Sequence, residues 1–141
     1  MTSLGSARDA ALTAPILIAD VDRNAARALA TALSELGLPA DHVGSAREVL
    51  ERAQDAGLRL VIADVALADA PGLTLLSRIR AMRPEVGTIL TSGEYRPEVE
   101  LRARECGILY YAPKPVAILI VYAIAARTLG RLEPQAGGGR R

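Results

Sequence analysis

Four short apolar runs, each closed by a single polar side chain and spaced by helix-length stretches, leave this chain few ways to fold. Asp20 follows Ile16-Leu17-Ile18-Ala19, and Asp64 follows Leu60-Val61-Ile62-Ala63. Ser92 follows Thr88-Ile89-Leu90-Thr91, and Lys114 lies just past Ile108-Leu109-Tyr110-Tyr111. Unbroken apolar runs of this length read as strands buried on both faces, which is the signature of a parallel sheet. In an open parallel sheet the crevice used for chemistry lies at the carboxyl ends of the strands. Two carboxylates, a hydroxyl and an ammonium are therefore expected at one sheet edge, a set that can hold a divalent cation and a phosphoryl group.

The segments between the runs have helical period and helical punctuation. Ala26, Leu29, Ala30, Leu33 and Leu36 fall on one face of a helix predicted at 23–36, with Gly37 as its cap. A short strand is expected at 40–43. Ser45-Ala46-Arg47-Glu48 is a capping box that opens a helix to about residue 56. A strand at 58–63, a turn at Asp69-Ala70-Pro71-Gly72 and a helix at 73–82 follow. A strand at 86–91, a helix at 97–106 begun by Pro97 and capped by Gly107, a strand at 108–112 and a helix at 116–129 complete the pattern. Five βα units imply an α/β fold: five parallel strands covered on both faces by right-handed crossovers.

The bulk numbers narrow the class. A chain of 141 residues suits one domain, expected at 15–132, between a small polar start at 1–14 and a Gly- and Arg-rich tail at 133–141. Phe and Trp are absent, so Ala, Leu, Ile and Val must build the core. The net charge of +1 gives no general attraction to nucleic acid or to a membrane surface, and neither partner is expected. The segment from Val116 to Ala126 is apolar but shorter than the roughly 20 residues a bilayer requires. One cysteine, Cys106, and no secretory leader point to a reducing, cytoplasmic setting.

Four segments together resemble the receiver domains of two-component response regulators. They are Ile16 to Asp22; Val61-Ile62-Ala63-Asp64 through Pro71-Gly72; Ile89-Leu90-Thr91-Ser92-Gly93; and Tyr111-Ala112-Pro113-Lys114-Pro115. The resemblance implies a doubly wound, flavodoxin-like sheet of strand order 2-1-3-4-5 with five helices. It implies a partner histidine kinase or phosphotransfer protein whose phosphohistidine passes its phosphoryl group to Asp64, with Mg²⁺ between Asp20 and Asp64. Ser92 would then hydrogen-bond a phosphoryl oxygen, Lys114 would pair with the acceptor and its phosphoryl group, and Tyr111 would match the switch aromatic. The Lys114–Pro115 peptide would be cis. The chemistry agrees with this independently. A carboxylate attacks an anionic donor only if charge is neutralised, and two like charges about 4 Å apart cost about 4 kcal/mol at an effective dielectric near 20.

The chain departs from that family at one metal-contacting position, where Val21 replaces the usual second acid. The expected Mg²⁺ site is weakened accordingly. Asp22 either rejoins Asp20 in the acidic site or N-caps the first helix. Ala68 stands where a proline is common. The uncharged stretch beginning at Val116, in a helix that ends at Leu129, offers apolar residues all round and predicts a homodimer or partner contact there. Two other readings stay open: a degenerate receiver that signals by dimerisation without phosphate, and an enzyme. In the latter, Asp20-Val21-Asp22 resembles the DxD motif of haloacid-dehalogenase-like phosphatases, with Asp20 as nucleophile and Asp22 as general acid.

Overall fold

A computed structural model describes residues 14–131. The expected irregular segments at 1–14 and 133–141 lie outside these residues, Ala14 excepted. The elements alternate without exception: β1 (Ile16–Ala19), α1 (Arg23–Glu35), β2 (Ala40–Val43), α2 (Ala46–Arg52), β3 (Leu60–Asp64), α3 (Gly72–Met82), β4 (Gly87–Ser92), α4 (Pro97–Glu105), β5 (Tyr110–Pro113) and α5 (Ile118–Thr128). The strands form one sheet in the order β2-β1-β3-β4-β5, and all neighbours are parallel. This is the doubly wound order expected above.

Alternation along each strand divides the core into two layers. Ile16 and Ile18 of β1, with Leu60 and Ile62 of β3, face Ala26, Ala30 and Leu33 of α1 and Val121, Ala125 and Ala126 of α5. Leu17 and Ala19, with Val61 and Ala63, face Val49 of α2 and Leu75 and Ile79 of α3. Leu76, Leu90, Ala103 and Tyr111 continue the second layer beneath α4. Small alanines let the helices approach the sheet closely, which is how a core without Phe or Trp fills its space.

Several boundaries differ from expectation in a consistent direction. The last three strands run at Leu60–Asp64, Gly87–Ser92 and Tyr110–Pro113, one or two residues later than the apolar runs suggested. Ladder pairing depends on backbone groups, so Asp64 pairs with Thr91 and Ser92 with Pro113 although their side chains are polar. The helix expected to reach residue 56 stops at Arg52, because the following turns deliver the chain to the guanidinium of Arg83. Gly37 and Gly107 do take left-handed conformations, φ +93° and +86°, just past α1 and α4.

Arg83, at the C-terminal end of α3, donates to the carbonyl oxygens of Ala53 at 2.9 Å, Asp55 at 2.8 Å and Leu58 at 3.4 Å, and pairs with Glu85. One mostly buried side chain thus gathers the α2–β3 connection against α3. A hydrogen bond to a charged group contributes about 1.5–3 kcal/mol, and bonds made by one side chain do not simply add. Arg83→Ala is expected to lower unfolding stability by about 3 kcal/mol. Arg83→Lys, which lacks the planar fork, should recover less than half of that in urea titration.

Candidate functional site

The register of β1 with β3 sets the site. Ala19 pairs with Ala63, so the next residues, Asp20 just past β1 and Asp64 at the end of β3, stand at the same level of the sheet edge. β4 ends alongside at Ser92, and β5 delivers Lys114 one residue past its end. The Lys114 N–H donates to the Ser92 carbonyl at 2.8 Å, and the Lys114–Pro115 peptide is cis.

The ammonium of Lys114 sits between the two carboxylates. It donates to Asp20 Oδ2 at 2.7 Å and to Asp64 Oδ2. The other oxygens are also engaged: Asp20 Oδ1 accepts the Asp22 N–H at 2.9 Å, and Asp64 Oδ1 accepts the Ala66 N–H at 2.8 Å. Both carboxylates are buried, at 6% and 8% exposure. Partial burial alone would lower the Lys114 pKa, but the hydrogen bonds and charges of Asp20 and Asp64 outweigh it and hold the ammonium above its ordinary value. Two negative charges and one positive leave a net charge of −1 in the cluster, which suits an added cation.

The remaining candidates are placed differently. Asp22 caps α1, its Oδ1 accepting the Ala25 N–H at 3.1 Å. Of the two arrangements open for it, this is the cap, and its carboxylate does not rejoin Asp20. Val21 is 54% exposed at the rim. Ser92 lines the same cavity as Asp64, Gly93, Glu94 and Arg96, but its hydroxyl donates to the Glu94 carbonyl at 2.5 Å and so is engaged within its own loop. Tyr111 is buried in β5 with its hydroxyl unpaired among the described residues, edge-on to Tyr95 at 6.3 Å and 70°. Among the described residues no three His, Cys, Asp or Glu side chains gather as a metal cluster. Mg²⁺ needs only one or two carboxylates when water and phosphate oxygens complete its shell, so the pair of Asp20 and Asp64 fits the ion with fewer protein ligands.

Two contributors escaped sequence reasoning. One is the Ala66 N–H, a backbone donor with no signature. The other is the close approach at Gly72, where an added Cβ would collide with the Asp64 carbonyl oxygen and come within 2.9 Å of Leu90. The Asp-to-Gly spacing carried that second signal, but only the packing shows what the glycine admits: α3 laid directly on the end of β3.

The chain has known relatives. The family model described as the response regulator receiver domain matches residues 16–123. The DNA-binding transcriptional regulator NtrC of Azospirillum brasilense is 32% identical over 123 residues, which cover 87% of this chain and 26% of that protein. The transcriptional regulatory protein ZraR of Escherichia coli is 28% identical over 101 residues, 72% of this chain and 23% of the relative. The chain thus spans about a quarter of the length of these curated relatives. Among solved structures, the receiver domain of NtrX from Brucella abortus superposes with a TM-score of 0.74 at 27% identity, covering 83% of this chain and 99% of that one. A CheY-like receiver domain protein from Methanospirillum hungatei gives 0.74 at 24% identity, covering 82% and 94%, a likeness of fold.

The raised Lys114 pKa has a consequence for stability. A basic group whose folded pKa lies above its unfolded value contributes stability that is complete below about 10.4 and lost as pH rises through the folded value. Wild type should therefore exceed Lys114→Gln in stability by a constant amount from neutral pH to about pH 10, with the gap closing above it. Chemical denaturation across that range checks the sign.

Proposed function

Because the chain belongs to the response regulator receiver family, whose members are phosphoacceptor signalling domains phosphorylated at an aspartate, we propose that Asp64 is its phosphoacceptor. The observation that carries this reading is the shared ammonium: Lys114 holds Asp64 and Asp20 side by side at the sheet edge. The donor would be a phosphohistidine on a kinase or phosphotransfer protein. An Asp64 carboxylate oxygen attacks phosphorus, the P–N bond breaks, its electron pair returns to the imidazole nitrogen, and an acyl phosphate remains on Asp64.

Receiver domains bind Mg²⁺ at this place, and here Asp20 and Asp64 would hold it. Bound there, the ion supplies positive charge against the incoming phosphoryl oxygens. Lys114 keeps the Asp64 carboxylate oriented before transfer and can then donate to a phosphoryl oxygen. Ser92 must give up its bond to the Glu94 carbonyl to donate to another. That exchange moves the β4–α4 loop, where Tyr95 touches Tyr111, and so links the phosphoryl group to the surface of α4. Asp22, needed as a free acid by a phosphatase reading, is committed to the α1 cap instead.

The partner surface follows from α5. Val121, Ala125 and Ala126 face the sheet, while Leu119 at 71% and Ile120 at 47% exposure face outward. A second copy or a partner protein covering these side chains would remove an apolar patch from water. Leu119→Glu is expected to abolish any self-association that wild type shows in sedimentation, without unfolding it.

The central test is acetyl phosphate with Mg²⁺, read by intact mass. One phosphoryl group should appear on wild type and none on Asp64→Asn. No addition to wild type, and no beryllofluoride-induced spectral change, would leave a domain that signals without phosphate. Val21→Asp restores a carboxylate at the exposed rim. It should tighten Mg²⁺ binding by at least about 10-fold in a titration followed by NMR.

A further inference from the structure

The loop from β3 to α3 carries one polar side chain, and that side chain reaches out of the loop. Asp69 Oδ1 accepts the Ala46 N–H at 2.9 Å and Oδ2 accepts the Arg47 N–H at 3.0 Å. These are the first two amides of α2, groups that a helix leaves without internal partners. Ser45 serves the same helix end separately, accepting the Glu48 N–H at 3.2 Å. The amides hold the Asp69 carboxyl below the usual carboxylate range, Ala46 foremost and then Arg47.

At its start the same loop holds the acceptor. The Ala66 N–H donates to Asp64 Oδ1, Ala66 bridges Pro71, and the Gly72 N–H closes on the Val65 carbonyl at 2.8 Å. Leu67 anchors the loop in the second core layer, but an apolar contact sets no direction. Ala68, exposed beside Asp69, lacks the backbone restriction a proline would bring there.

We propose that Asp69 is a positioning residue for Asp64: its two bonds to the amino end of α2 tie down the loop whose Ala66 N–H orients the acceptor carboxylate. The inference rests on Asp64 being the acceptor, and it assigns to a carboxylate tether the loop rigidity that proline at 68 would otherwise supply. It also links α2, which contributes nothing to the cluster directly, to the geometry of that cluster.

Amide exchange at Ala66 and the rate of phosphorylation by acetyl phosphate with Mg²⁺ test it on the full chain. Asp69→Asn should speed Ala66 exchange by about 10-fold or more. It should slow phosphorylation by about 10- to 100-fold, the scale of a small misplacement of a reacting group. Ser45→Ala loosens the same helix end without touching the loop and should change neither quantity. Ala68→Pro added to Asp69→Asn should restore most of both. An Asp69→Asn rate equal to wild type overturns the proposal, and so does a Ser45→Ala variant that matches Asp69→Asn. If wild type takes up no phosphoryl group, the acceptor reading fails, and Ala66 exchange alone decides whether the tether exists: unchanged exchange in Asp69→Asn overturns it.

Discussion

One ammonium shared by two buried carboxylates organises the working end of this domain. Without Lys114 between them, Asp20 and Asp64 would face each other as like charges in a region where water is scarce, a cost that grows as the dielectric falls. The sheet brings the pair to one level, and the chain then supplies the counter-charge from just past its last strand, β5. The same arrangement binds β5 to β1 through side chains, although β3 and β4 lie between them in the sheet.

Charge balance also explains why the departure at Val21 is tolerable to the fold. The acid missing there would have added a third negative charge to a cluster already at −1. Its absence costs the folded chain nothing electrostatic; in the proposed Mg²⁺ site it would leave more of the shell to water and phosphate. The exposed position of Val21 agrees with a residue that no internal contact requires.

Around the cluster, short backbone bonds matter as much as side chains. Asp22 and Ala66 each offer an N–H to one carboxylate, and each stands two residues beyond the acid it serves. Such turns orient a carboxylate oxygen without a further side chain. Ser92 and Tyr111 are the parts that the proposed phosphoryl switch would move. The first is bonded to its own loop and the second carries a buried hydroxyl without a partner among the described residues, so both have interactions to gain in another state.

The linear order of residues determined the fold class, the strand order through its resemblance, and the sheet edge at which Asp20, Asp64, Ser92 and Lys114 stand. Those follow from period, from capping residues such as Gly37, and from polar residues that end apolar runs. Strand ends were read early because hydropathy marks side chains whereas pairing belongs to the backbone. Only the folded molecule decided that Asp22 is a cap, that Ser92 turns toward Glu94, that Asp69 clasps α2 from 23 residues away, and that Gly72 admits α3 onto β3. Each of these is a choice among partners of similar chemistry, and distance across the fold makes that choice.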